Sequence, residues 1–271
     1  MNRIIWALCT ALCLVNGCTK QNDYIIDDNK NGQVKIKFDH IVGGKKLTLN
    51  DYLYSNNSGE TFRINLLKYY ISNIKLYKPS GEAFIIPKEE SFFLVDLSDP
   101  STLQPIVEVP TGDYIRLDFN LGVDSLTNTL PIEQRTGVLD VSKYGMYWEW
   151  NSGYIHFKLE GTSEQASNAN QSFKYHIGLF GGYSTPTVNN NRKVSIDLSR
   201  AGTSKVQENL SSDIHLMVDI GKIFDGPNVI TIQSTPIVMT SGPHSAIADN
   251  YASMFTHDHT HNFQKIASHE K

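Results

Sequence analysis

From Gln33 onward the chain runs in short stretches where apolar and polar residues alternate, and this period of two constrains the fold more than any other feature. Val34, Ile36 and Phe38 alternate with Lys35, Lys37 and Asp39, as in a strand with one face on a core. Similar runs occupy Phe62–Leu67, Tyr70–Tyr77, Ala83–Pro87, Phe92–Leu97, Ile106–Val109 and Asp113–Leu121. They continue at Met146–Glu160, Ser172–Phe180, Lys193–Leu198, Asp213–Ile220 and Val229–Thr231. Clusters of Gly, Asn, Asp, Ser and Pro separate them. About a dozen strands at this spacing predict an all-β, antiparallel β-sandwich of jelly-roll or immunoglobulin-like type. Long amphipathic helices are missing, which argues against a βαβ architecture. Two short helices are expected, one turn at Ile220–Phe224 and a longer one at Ala246–Phe255, where Ile247, Tyr251 and Met254 or Phe255 share a face.

The N-terminus predicts export. Met1-Asn2-Arg3 is charged, Ile4 to Val15 is apolar except for Thr10, and Asn16-Gly17-Cys18 follows. The apolar run is too short for a permanent bilayer span. Its surroundings are those of a secretory signal over 1–17. Val15-Asn16-Gly17-Cys18 resembles a bacterial lipobox, with Asn16 unusual in it, and makes Cys18 the lipid-bearing residue. The three cysteines are Cys9, Cys13 and Cys18, so the mature domain has no thiol for a disulfide, a thiolate site or a nucleophile. Residues 18–33 read as a tether, the polar run Gln21–Gln33 making up most of it. The domain spans 34–262 and 263–271 form a tail. Asp27-Asp28-Asn29-Lys30-Asn31-Gly32 opens like a calcium loop, but Phe38 stands where the twelfth-position Glu belongs. The net charge of −4 and the lack of a Lys/Arg stripe give nucleic-acid binding no electrostatic basis. Membrane attachment rests on Cys18 alone, which places the protein in the cell envelope, at the outer membrane.

Histidine and tryptophan carry the candidate chemistry. Trp148, Trp150, Tyr154 and His156 would share one face of an extended chain unless Asn151-Ser152-Gly153 inserts a bulge; packing in a core is the plainer role of such rings. His40, His156, His176 and His215 fall in or beside expected strands, His244 falls in a loop, and His269 lies in the tail. Imidazoles without Cys, outside the cytoplasm, suit copper or zinc. His257, His259 and His261 alternate and could chelate if extended, although a solvated, frayed terminus is the plainer reading. No G-x-S-x-G, H-E-x-x-H or P-loop is present. A glycosidase would need a carboxylate pair drawn from residues such as Asp96, Asp99, Asp124, Glu149 and Glu160, which read more simply as surface acids.

Several blocks, taken in order, carry a resemblance. They are FRINLLKYYISNIKLYKPSGE (62–82), FLVDLSDPSTL (93–103), VPTGDYIRLDFNLGVDSLTN (109–128), GMYWEWNSGYIHFKLEGTS (145–163), FKYHIGLFGG (173–182) and IADNYASMF (247–255). With Phe38-Asp39-His40 they look like the MbnP-like copper-binding family, and most like its lipoprotein versions from Bacteroidetes-type bacteria. The resemblance implies a β-sandwich that handles copper at the cell envelope, in acquisition or homeostasis, without enzymatic activity. It implies Cu(I) held by two histidines and a kynurenine, with a di-haem peroxidase-like partner oxidising the tryptophan. Carried onto this chain, Trp150 is the first choice for the modified residue and Trp148 the second. His40 and His176 are the leading ligands, and His156 ranks below them. The alternative is a surface glycan- or protein-binding sandwich that uses its Tyr/Trp-rich face.

Overall fold

The computed structural model describes residues 30–266. The signal over 1–17, the lipobox with Cys18, the start of the calcium-like run and His269 all lie outside the described residues. Strands take up 44% of the structure and helices 13%, and the sheets curl into the expected β-sandwich.

One sheet has five strands. Its path is β16 (Phe255–Lys265), β14 (Leu210–Asp219), β1 (Asn31–Val42) and β2 (Lys45–Lys46), with β7 (Ile106–Pro110) also on β1. The second has nine. Its path is β12 (Arg192–Asp197), β9 (Arg116–Leu121), β4 (Thr61–Tyr77), β10 (Phe157–Thr162), β11 (Ser172–Ile177) and β15 (Ile237–Val238). Three further strands, β3 (Tyr54–Ser55), β5 (Ala83–Ile85) and β6 (Phe92–Asp96), pair with β4. A two-stranded ribbon joins β8 (Gly112–Tyr114) to β13 (Ser204–Val206). The short helices are α1 (Ser125–Asn128), α2 (Lys222–Asp225) and α3 (His244–Ala252). None of the described helices is long and apolar enough to cross a membrane.

The period of two in the sequence becomes burial in the fold. Along β1 the even residues Val34, Ile36, Phe38, His40 and Val42 are buried, and the odd ones are partly exposed. In β14 the same holds for Ile214, Leu216 and Val218. Phe38 packs edge-to-face on Tyr69, Phe119 and Phe255, with ring centroids 6.0–6.4 Å apart, and so ties β1 to β4 and β9 across the sandwich and to β16 within its own sheet. Buried Glu60 fastens a loop to this core, its carboxylate accepting the Ile232 and Gln233 backbone N–H groups at 2.8 Å each.

Local details depart from the sequence reading where strand pairing over long range takes control. β1 and β14 pair in parallel, Lys37 opposite His215, as do β11 and β15. Phe62–Leu67 and Tyr70–Tyr77 fuse into the single strand β4, with register shifts opposite Gly161 and between Ser72 and Lys75. The stretch expected as a strand over Met146–Glu160 turns back on itself: Trp148 N–H donates to the Gly153 carbonyl, Gly153 N–H donates to the Glu149 carbonyl, and β10 begins only at Phe157. Val229–Thr231 forms no strand, only an isolated bridge from Val229 to Asp225.

Candidate metal centre

The candidate ligands separate according to which side of a sheet they face. His40 points inward from β1 and is 5% exposed. Its Nε2 lies 2.9 Å from the Tyr69 hydroxyl, and its Nδ1 has no hydrogen-bond partner. Burial pushes its pKa down to about 4, against a smaller upward pull from Asp39. The ring is therefore neutral at pH 7 and keeps a nitrogen unused in a buried setting.

His176 faces the other way. Its neighbours Tyr175 and Ile177 belong to the main core, so strand alternation turns His176 to the outer face of the nine-stranded sheet. There its Nε2 lies 2.8 Å from Glu160 Oε1, with Lys158 directly opposite on β10. Burial lowers its pKa, and the hydrogen bond to Glu160 opposes that shift. His40 and His176 are thus not brought together: the sheet that carries Tyr69 stands between them.

His156 is the most enclosed of the set, with no exposed surface. Its backbone N–H donates to the Ile177 carbonyl and its own carbonyl accepts from Tyr70 N–H, which holds it between β11 and β4. The ring lies on Gly122. A Cβ at Gly122 would stand 2.6 Å from His156 Nδ1 and 2.9 Å from Asn191 Nδ2, and φ there is +119°, so the site depends on glycine both for space and for backbone conformation. Neither ring nitrogen of His156 has a well-formed hydrogen bond, and Asn191 Nδ2 has none either. Burial drives the His156 pKa down to about 4, the Asn190 backbone offsetting it in part.

The two tryptophans part at the turn. Trp148 is half-buried and packs on a second, smaller apolar cluster that includes Tyr70, Val123, Met146 and Tyr154. Tyr70 alternates with the inward Tyr69, so this cluster covers the outer face of the sheet. The Trp148 ring lies over Gly178, where a Cβ would come within 2.7 Å of Cζ3. Gly178 follows His176 by two residues, which puts Trp148 and His176 on the same face. Trp150 is at the turn tip, 54% exposed, with its ring edge-on to Tyr183 at 6.3 Å. Asn151 Oδ1 accepts the backbone N–H groups of Tyr183, Ser184 and Thr185, which holds the tip against that loop.

The C-terminal histidines lie on an edge strand, β16, instead of a frayed end. Across it β14 pairs Leu216 with His257 but His215 with His259, so Asp258 is an extra residue, a β-bulge. One inserted residue reverses the faces. His257 comes opposite inward-facing Leu216 and its Nε2 lies 2.8 Å from Thr260 Oγ1. His259 and His261 face outward and meet His215. The sequence trio is therefore corrected: His257 leaves it and His215 joins. His215 stacks on His259 with centroids 4.2 Å apart, and the Nε2 atoms of His259 and His261 are 3.0 Å apart. One nitrogen from each of the three rings lies within 4.8 Å of the other two. Burial, with Lys37 next in weight, lowers the His215 pKa.

The carboxylates considered for a glycosidase are engaged elsewhere. Asp96 holds Lys68 at 2.9 Å, Asp99 caps the turn at Ser101, Asp124 holds Lys88 and the Thr127 N–H, and Glu160 holds His176. Glu149 faces solvent.

Fold and site together define an all-β domain rich in buried imidazole. The MbnP family model matches residues 31–240, and the chain belongs to the MbnP family. Among solved structures it is similar to MbnP from Methylosinus trichosporium, at 15% identity over 80% of this chain and 83% of that one, with a TM-score of 0.56. At that identity the likeness is one of fold. No curated protein sequence matches the chain.

Proposed function

We propose that this protein is a non-enzymatic copper-binding lipoprotein of the cell envelope, anchored through Cys18 at the outer membrane and acting in copper acquisition or homeostasis. Membership of the copper-associated MbnP family is the observation that carries the reading. The buried imidazoles fit that cargo. His156 and His40 are neutral at pH 7 and keep ring nitrogens with no well-formed hydrogen bond, a state that wastes hydrogen-bonding capacity unless something else uses the lone pair. Cu(I) accepts few ligands and takes imidazole readily. His156 is the first choice because neither of its nitrogens makes a well-formed hydrogen bond and its ring is the better enclosed. His176 is the weaker donor, since Glu160 already occupies its Nε2.

Indole nitrogen donates and cannot coordinate, whereas ring opening to kynurenine exposes an aniline nitrogen. Of the two tryptophans, Trp148 is the better placed for such a product, packed beside Gly178 on the His176 face, while Trp150 is in solvent. A di-haem peroxidase-like partner would supply the oxidation. The test is copper analysis of protein purified from its native host, with peptide mass spectrometry over residues 144–158. Copper that is retained by the parent and lost in His156→Ala supports the reading. Copper-free protein rejects it, and an unmodified Trp pair rejects the kynurenine.

The exposed Trp150–Tyr183 pair favours a second reading, a surface that stacks on a glycan or protein partner. Trp150→Ala would abolish such binding and leave copper content unchanged.

A further inference from the structure

We infer that His215, His259 and His261 form a second metal site, on the outer face of the five-stranded sheet, for a divalent first-row ion with Cu(II) preferred. The inference does not depend on the interior copper reading. Two of its three residues lie beyond the stretch matched by the family model, which ends at residue 240.

The nitrogens are already sorted for ligation. His215 Nδ1 faces Asp39 at 3.4 Å and His259 Nδ1 faces Asp258 at 2.8 Å. A carboxylate on the far nitrogen fixes a ligating imidazole's tautomer and orientation and raises its basicity. It leaves Nε2 of each ring to the metal. The third imidazole, His261, presents Nε2 to His259 Nε2 at 3.0 Å. Metal–nitrogen bonds of about 2.1 Å allow two ligands of one ion to stand at most about 4.2 Å apart. The His259–His261 pair meets that limit, and the widest spacing in the group, within 4.8 Å, closes with a small side-chain rotation.

Three elements of backbone geometry place the ligands. The period of two puts His259 and His261 on one face. The Asp258 bulge brings that face into line with His215. Parallel pairing of β1 with β14 sets Asp39 two residues along from Lys37, the partner of His215. Three imidazoles leave further coordination positions open to solvent, which suits capture or hand-over of an ion better than permanent storage. Nitrogen donors at a solvent-facing site follow the order in which Cu(II) binds more tightly than Zn(II). A bound ion would also cross-link edge strand β16 to β14.

The test uses full-length protein without a polyhistidine tag, stripped of metal and titrated with CuCl2 and separately with ZnCl2. Calorimetry follows affinity, and electron paramagnetic resonance counts the nitrogen ligands of Cu(II). His261→Asn and His215→Asn are each expected to weaken Cu(II) binding at this site by more than roughly 100-fold, and Asp39→Asn by roughly 10–100-fold. His257→Asn is expected to leave it unchanged. Copper is expected to raise the melting temperature of the parent and not that of His261→Asn. Since His261 is exposed, that variant decides the matter if His215→Asn fails to fold. Unchanged Cu(II) affinity in His261→Asn, or an equal loss in His257→Asn, overturns the site. His156→Ala separates the two readings, because it removes interior copper and leaves this ion in place.

Discussion

The two groups of histidines use the same side chain under opposite conditions. His40 and His156 sit where water is excluded, hold neutral rings and are constrained by packing. His215, His259 and His261 sit on an open sheet face, where the restraint comes from carboxylates and strand register. Burial decides the state of the first group, with pKa values of about 4 for both rings. In the second, the hydrogen bond to Asp258 and the charge of Asp39 bias which nitrogen is available. Interior imidazoles are thus coupled to stability, and surface ones are free to be coupled to a ligand.

That contrast is sharpest in its pH dependence. For His40 and His156 the folded-state pKa lies near 4, below the ordinary 6.5. Between those values the unfolded chain binds protons that the folded chain does not, so stability rises with pH there and drains away on acidification. Going from pH 6.5 to 4 should remove about 3 kcal/mol per histidine as an upper value. Urea denaturation across that range measures it, and His156→Phe should reduce the slope. An equal slope in the variant would break the assignment to burial.

Gly122→Ala comes next. It places a methyl against the His156 ring at a positive φ and should destabilise by about 2–3 kcal/mol, read as a lower urea midpoint at constant m-value. Tyr69→Phe leaves His40 Nε2 without its partner; the expected loss is about 1–3 kcal/mol. The smallest effect belongs to the surface group. His261→Asn should change the metal-free stability by no more than about 0.5 kcal/mol, which thermal unfolding with and without CuCl2 distinguishes from its effect on binding. A surface variant as damaging as the interior ones would erase the distinction.

Parts of this arrangement were legible in advance. The alternation in β1 and β14 marked Phe38, Ile214 and Leu216 as core. Tyr175 and Ile177 flanking His176 likewise implied an outward histidine, which conflicts with pairing it to inward His40. Asn151-Ser152-Gly153 carried the composition of a turn, and the turn formed there, separating Trp148 from Trp150. His215 stood among the strand histidines but was not chosen as a ligand, although its alternation with Asp213 and Asp219 put it on the outward face of its strand. The Asp258 bulge left no clear mark: an extra residue in a strand shows only against its partner, and the partner lies some forty positions upstream.

The all-β class and the buried side of each strand follow from local periodicity and solvent exclusion, and were readable along the chain alone. Which strands are neighbours, the parallel run of β1 with β14, and which imidazoles meet emerged only in three dimensions. Those outcomes depend on long-range pairing and register, where a shift of a single residue turns a side chain from the core to the solvent.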